Sequence, residues 1–264
     1  MSMFAVPPLD GHGWLRRARP MLGTLVDIGV PAGAEQALHE AFSAIWQVQQ
    51  TMSVFEPGSD LSRSHAAGVG EPVRLHPWTA QVLQLAQTLS AQTDGLFDVA
   101  LGSGAWQLQE DGEHTDLLRL SPATRLDLGG LAKGWAVDRA VEAALDQGAE
   151  AVWVNAGGDL RVQGLTLPVV LRDELTGGVR PWAELADGAM ATSDFRAGAR
   201  SALSGTVQAG HLSVVAPQCA WADALTKVLA QQAPQLHGAQ GLAHDLLQHY
   251  QAQVWVHDTS TSSP

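Results

Sequence analysis

Twice in the middle of the chain a run of strand character ends in a pair of glycines: LDLGG at 126–130 and VNAGG at 154–158. Glycine adopts backbone angles that a β-carbon forbids, so each pair permits a tight turn directly after the run. Behind the first pair, an Ala-rich stretch from Leu131 to about Leu145 has helical spacing and ends near Gly148. Strand, glycine turn, helix, strand is the rhythm of an α/β protein, and it constrains the fold more than any other feature.

Further elements follow from periodicity. Strands are predicted at Met21–Val30, Arg125–Leu128, Ala151–Val154, Pro168–Arg172, Gly188–Thr192, Leu212–Val215 and Val254–His257. Apolar residues at helical spacing predict helices over Ala34 to about Met52, Pro77–Gln92, Pro217 to about Ala230 and Leu242 to about Tyr250. Pro57–Glu71 reads as a polar loop. Residues 1–20 read as a partly ordered arm, 21–258 as one unit and 259–264 as a disordered tail. The irregular strand spacing favours mixed sheets with antiparallel returns over a doubly wound parallel sheet.

With 15 Lys and Arg against 27 Asp and Glu, the formal net charge of -12 excludes a nucleic acid bound through a general basic face. The lone Cys219 excludes an internal disulfide framework. No apolar run approaches the roughly 20 residues of a membrane span. The arginines at 16, 17 and 19 precede a stretch broken by Gly23, Asp27 and Gly29, which is wrong for a signal peptide, so a cytoplasmic protein is expected.

Three stretches carry candidate chemistry. In LDLGGLAKGWAVD (126–138), free N–H groups at the helix start and the nearby Lys133 either meet an anion or form a plain turn beside a surface lysine. VNAGGDL (154–160) reads most simply as a hairpin. In CAWADALTKVL (219–229), Asp223 lies among small apolar residues and is therefore exposed, paired or metal-bound. Lys227, four residues on, offers an ion pair; Mg²⁺ is the alternative partner. Among ten scattered histidines, His211, just before a predicted strand, is the one with a candidate role.

Together these stretches resemble the ApbE family of FAD:protein FMN transferases. ARPMLGTLVDI (18–28), TMSVFEPGSDLSR (51–63), TDGLFDVALG (93–102), ATSDF (191–195) and ADALTK (222–227) join the two glycine motifs in the family's order. The resemblance implies an ApbE-like α/β fold, a two-lobed single unit holding flavin in a cleft. It implies transfer of FMN from FAD to a threonine of an acceptor protein, with Mg²⁺ required and AMP released. By motif match, Met21, Phe55, Leu96, Phe97, Asp98, Asp127 and Lys133 would contact FAD, while the Gly130 carbonyl and Asp223 would bind the metal. Family members usually carry a His- and Asp-containing stretch where this chain reads RAGARSALSGTVQAG (196–210), and His211 is the candidate substitute base. Lys227 stands where the family often has a metal-binding Thr, and Phe55 where it often has Tyr. The alternative reading is a flavin-binding relative with lost or reduced transferase activity.

Overall fold

The structure is a computed structural model, and it describes residues 4–5, 13–172, 179–195, 207, 210–232, 236 and 240–257. The expected tail at 259–264 and most of the 196–210 interval lie outside the described residues.

Among the described residues, two sheets organise the fold. Strands β1 (Phe4–Ala5), β2 (Trp14–Met21) and β3 (Thr24–Pro31) open it, followed by helices α1 (Glu35–Met52) and α2 (Asp60–Ala66). Strand β4 (Val73–Arg74), helix α3 (Pro77–Gln92) and the hairpin β5 (Trp106–Asp111)–β6 (His114–Arg119) complete the smaller part. Helix α4 (Ala132–Asp146) then leads into β7 (Val152–Ala156), β8 (Asp159–Arg172) and β9 (Val179–Asp194). Strand β10 (His211–Ala216), helices α5 (Cys219–Leu229) and α6 (Leu242–His249), and β11 (Gln253–Val256) end the described fold. The large sheet has the order β11-β10-β9-β8-β7-β3-β2 with β1 on β8, and the small one β4-β6-β5. Every recorded strand pairing is antiparallel.

Alternation along the strands gives the large sheet two buried faces. Val26, Ile28, Val152, Val154, Ala191, Leu212 and Val214 join the apolar faces of the helices in the main core. Trp153, Leu160, Val162 and Met190 form a second cluster with Leu167 and Val169. Helix α4 packs against both α1 and α5. Gly134 makes the α4–α5 approach possible, since a β-carbon there would lie 2.3 Å from the Cys219 carbonyl oxygen.

The structure departs from the sequence expectations in four places. The arm contributes β2, which begins at Trp14 and runs antiparallel to β3 through a turn at Leu22 and Gly23. The Pro57–Glu71 segment contains α2, whose Ser59 hydroxyl caps it by accepting from the Ser62 N–H at 3.0 Å. Arg125–Leu128 joins no sheet; its Asp127 N–H instead donates to Val99 O at 2.8 Å. The β5–β6 hairpin was not anticipated. No helix among the described residues is long and apolar enough to cross a membrane.

Candidate functional site

The second glycine pair is a hairpin turn. Gly157 and Gly158 both have positive φ, 65° and 108°, and Asn155 Oδ1 accepts the Gly158 N–H at 3.1 Å. Its importance lies in what it positions: Asp159, buried at the start of β8, pairs with Lys133 in the first turn of α4.

The first glycine pair feeds α4, so Gly130, Lys133 and Gly134 meet α5 side by side. Asp223 on α5 is fully buried. One carboxylate oxygen accepts from Lys227, the other from the Gly134 N–H at 3.3 Å, with Lys133 Nζ 3.9 Å away. Lys227 also donates to Ser193 Oγ at 3.1 Å. Ser193 contacts the Thr226 hydroxyl at 2.7 Å, and that hydroxyl donates to the Asp223 carbonyl at 2.7 Å. One donor direction therefore runs from Lys227 through Ser193 and Thr226 back to the Asp223 backbone. Burial works against a charge on Asp223, yet the ammonium groups of Lys133 and Lys227 outweigh it and hold its carboxyl below the usual carboxylate value. Burial lowers the Lys133 pKa, with Asp223 acting in the opposite sense. Lys133 remains the open side of this cluster, its side chain 27% exposed against 9% for Lys227.

The expected Mg²⁺ ligands do not fit the ion. Gly130 and Asp223 are brought together, but the Lys227 stem lies against Gly130, its Cε 3.4 Å from where a β-carbon would stand. Lys227 holds one Asp223 oxygen and Gly134 the other. A divalent ion about 4 Å from a buried ammonium would be repelled by about 8 kcal/mol at an effective dielectric of 20. Among the described residues there is no group of three or more His, Cys, Asp or Glu able to hold a metal.

The expected flavin contacts separate into exposed and buried groups. Phe55 is 91% exposed, in the turn before α2. Asp127 is exposed and accepts the Gly129 N–H at 2.7 Å, which ties it to the glycine turn. Asp98 accepts the N–H groups of Ala100 and Gly102 at 2.8 and 2.7 Å. Met21 and Leu96 are partly buried against the core. The Phe97 ring is itself a core residue, so its turn can present backbone rather than ring to a ligand.

His211 does not join this site. It pairs in register with Asp194, whereas the next pair along, Leu212 and Ser193, carries the hydroxyl that reaches Lys227. Strand alternation puts the two pairs on opposite faces of the sheet. The His211 ring lies 4.5 Å from that of His257, which bonds Ser213 at 2.8 Å on that other face. The structure therefore places His211 on the sheet face opposite the Lys133–Asp223–Lys227 cluster.

A residue that sequence reasoning missed is Asp138, one helical turn beyond Gly134. Buried on α4, it pairs with Arg161 at 2.8 Å and accepts the Cys219 and Ala220 N–H groups at 2.9 and 2.8 Å. A carboxylate among Ala136, Val137, Ala140 and Val141 is the same signal that singled out Asp223.

The sequence profile of the ApbE family matches residues 22–196, and the chain belongs to that family. An FAD:protein FMN transferase of Rhodobacter capsulatus is 29% identical over 61% of this chain and 35% of its own length. One from Vibrio cholerae is 28% identical over 45% and 44%. The match thus spans about a third to a half of these curated relatives. The solved ApbE protein of Thermotoga maritima superposes with a TM-score of 0.75 at 20% identity, covering 92% of this chain and 94% of that one. The flavin transferase ApbE of Vibrio cholerae gives 0.72 at 20% identity, covering 91% and 92%. These likenesses carry the fold.

Proposed function

We propose that the protein transfers FMN from FAD to a threonine hydroxyl of an acceptor protein, releasing AMP. In this reaction the threonine oxygen bonds to the phosphorus of the FMN half. The phosphorus–oxygen bond to the AMP half breaks, and the hydroxyl proton passes to a base. Such phosphoryl chemistry asks the protein mainly for positioning and for positive charge against the pyrophosphate. The observation that carries the reading is the Lys133–Asp223–Lys227 cluster at the glycine turn that opens α4. Lys133 is its solvent-facing member and would meet a pyrophosphate oxygen; Asp159 and Asp223 hold its ammonium in place.

Phe55 would stack on the flavin, with the Met21, Leu96–Phe97–Asp98 and Asp127 segments lining the remaining length of FAD. The relatives named FAD:protein FMN transferase support the flavin-transfer reading. The family resemblance also implies Mg²⁺, but the residues present do not fit it. The position of His211 on the far face of the sheet favours a second reading, a flavin-binding relative without transfer. Incubation with FAD and threonine-bearing acceptor domains separates the two. Transfer gives an acceptor heavier by one FMN less one water and frees one AMP per modified chain; flavin binding without AMP release supports the second reading.

A further inference from the structure

We infer that Lys227 is a tethered cation that takes the place of a divalent metal ion, so that this protein works without one. The inference rests on the transferase reading for its consequence in catalysis, but the exclusion of metal stands on the cluster itself. A cation in this pocket would need the Asp223 carboxylate, and Lys227 already holds one of its oxygens. The Lys227 stem crosses against Gly130, whose carbonyl is the other expected ligand. Its ammonium is also fixed by Ser193 at 3.1 Å, and Ser193 is locked in turn by Thr226 at 2.7 Å. A lysine merely neutralising a carboxylate needs no such support; this one is built into a hydrogen-bonded chain that returns to the Asp223 backbone.

The charge arithmetic agrees. Lys227 supplies one positive charge against Asp223, Lys133 pairs with Asp159, and the four groups balance in the absence of ligand. A pyrophosphate entering beside Lys133 would then meet ammonium donors already in position, with no metal to recruit. Lysine is a compact, strongly hydrated point charge on a flexible stem, and a tether makes that charge permanent where an ion would exchange.

Mn²⁺ binding followed by electron paramagnetic resonance, with and without FAD, tests the inference on the whole protein. The wild type should bind no Mn²⁺ in this pocket at millimolar metal. Lys227→Thr, which frees Asp223 and supplies a hydroxyl, should gain one Mn²⁺ per chain. In parallel, AMP release by the wild type should change less than twofold between excess EDTA and millimolar Mg²⁺. The Lys227→Thr variant should lose at least tenfold in EDTA and recover with Mg²⁺. One Mn²⁺ bound per wild-type chain, or a tenfold loss of wild-type activity in EDTA, overturns the inference. If Lys227→Thr fails to fold, the wild-type Mn²⁺ titration still decides. If no AMP is released under any condition, the transferase reading fails while the Mn²⁺ result continues to test the tethered cation.

Discussion

Asp138 and Asp223 are two buried carboxylates on facing helices, each reaching across to brace the other's helix, yet their surroundings differ. Asp138 on α4 accepts the first N–H groups of α5, where the helix dipole favours negative charge, and it faces one cation, Arg161. Asp223 on α5 accepts a single long bond from Gly134 in the first turn of α4 and faces two cations. The two carboxyls shift in opposite directions. Burial prevails at Asp138 and pushes its carboxyl up from the ordinary value against Arg161 and the two N–H groups; at Asp223 two ammonium groups prevail over burial and pull it down. Asp138 satisfies backbone groups that nothing else reaches, and Arg161 beside it is nearly closed from solvent. The Asp223 cluster opens outward through Lys133. The first arrangement is a clamp, the second the proposed site.

The largest expected effect breaks the clamp. Asp138→Ala leaves Arg161 buried without its main partner and two N–H groups at the start of α5 without acceptors. Breaking a buried pair in this way costs about 3–5 kcal/mol. Urea unfolding of the wild type and the variant measures it, and a loss under about 1 kcal/mol would remove the distinction between the two carboxylates.

The second prediction concerns the site. Asp223→Asn combined with Lys227→Met removes both charges with near-isosteric side chains, keeps an acceptor for Gly134 and leaves Lys133 on Asp159. Replacing a buried ion pair by matched neutral groups is often neutral, so stability should stay within about 1 kcal/mol of the wild type. AMP release should fall at least a hundredfold, about 2.7 kcal/mol of transition-state stabilisation. A stability loss as large as that of Asp138→Ala would make Asp223 a second clamp.

The same comparison marks what the sequence made legible. Helices α3, α4 and α5 were readable because apolar spacing, Pro77 and the glycine pair act locally. Asp223 and Lys227 were readable as an i,i+4 pair. Asp138 went unread because its partners, Arg161 and the Cys219 and Ala220 amides, are far away in sequence and lie on other elements. Strand β2 was hidden because most of it is exposed at a sheet edge, with three arginines and a proline. The β5–β6 hairpin is polar and mostly outside the core, although Asp111-Gly112 was a turn signal within reach. The face that His211 occupies has a similar cause: strand alternation fixes it, but only once the pairing of β9 and β10 is known.

The smallest expected effect tests whether a charge-free hydrogen bond can serve as a clamp near the glycine turn. His65 at the end of α2 accepts the Leu126 N–H on Nε2 at 2.9 Å, which fastens the segment carrying Asp127. Burial, then the Arg125 and Arg119 charges, lower the pKa of this imidazole below 6.5, with Asp127 acting the other way. The neutral ring is therefore the form that folding prefers. Below pH 6.5 the unfolded chain binds the proton more readily than the folded one, so stability present above that pH is lost as pH falls toward the folded pKa. Asp138 acts with the opposite sign, because its raised pKa means that acid relieves rather than removes stability. Comparing the wild type with His65→Gln isolates the histidine. Across pH 7 to 5 the wild type should lose more stability than the variant, by an amount small beside the Asp138→Ala effect. Parallel curves for the two proteins would show that the Leu126 amide is held equally well without the imidazole, and would leave Asp138 as the clamp that fixes this end of α4.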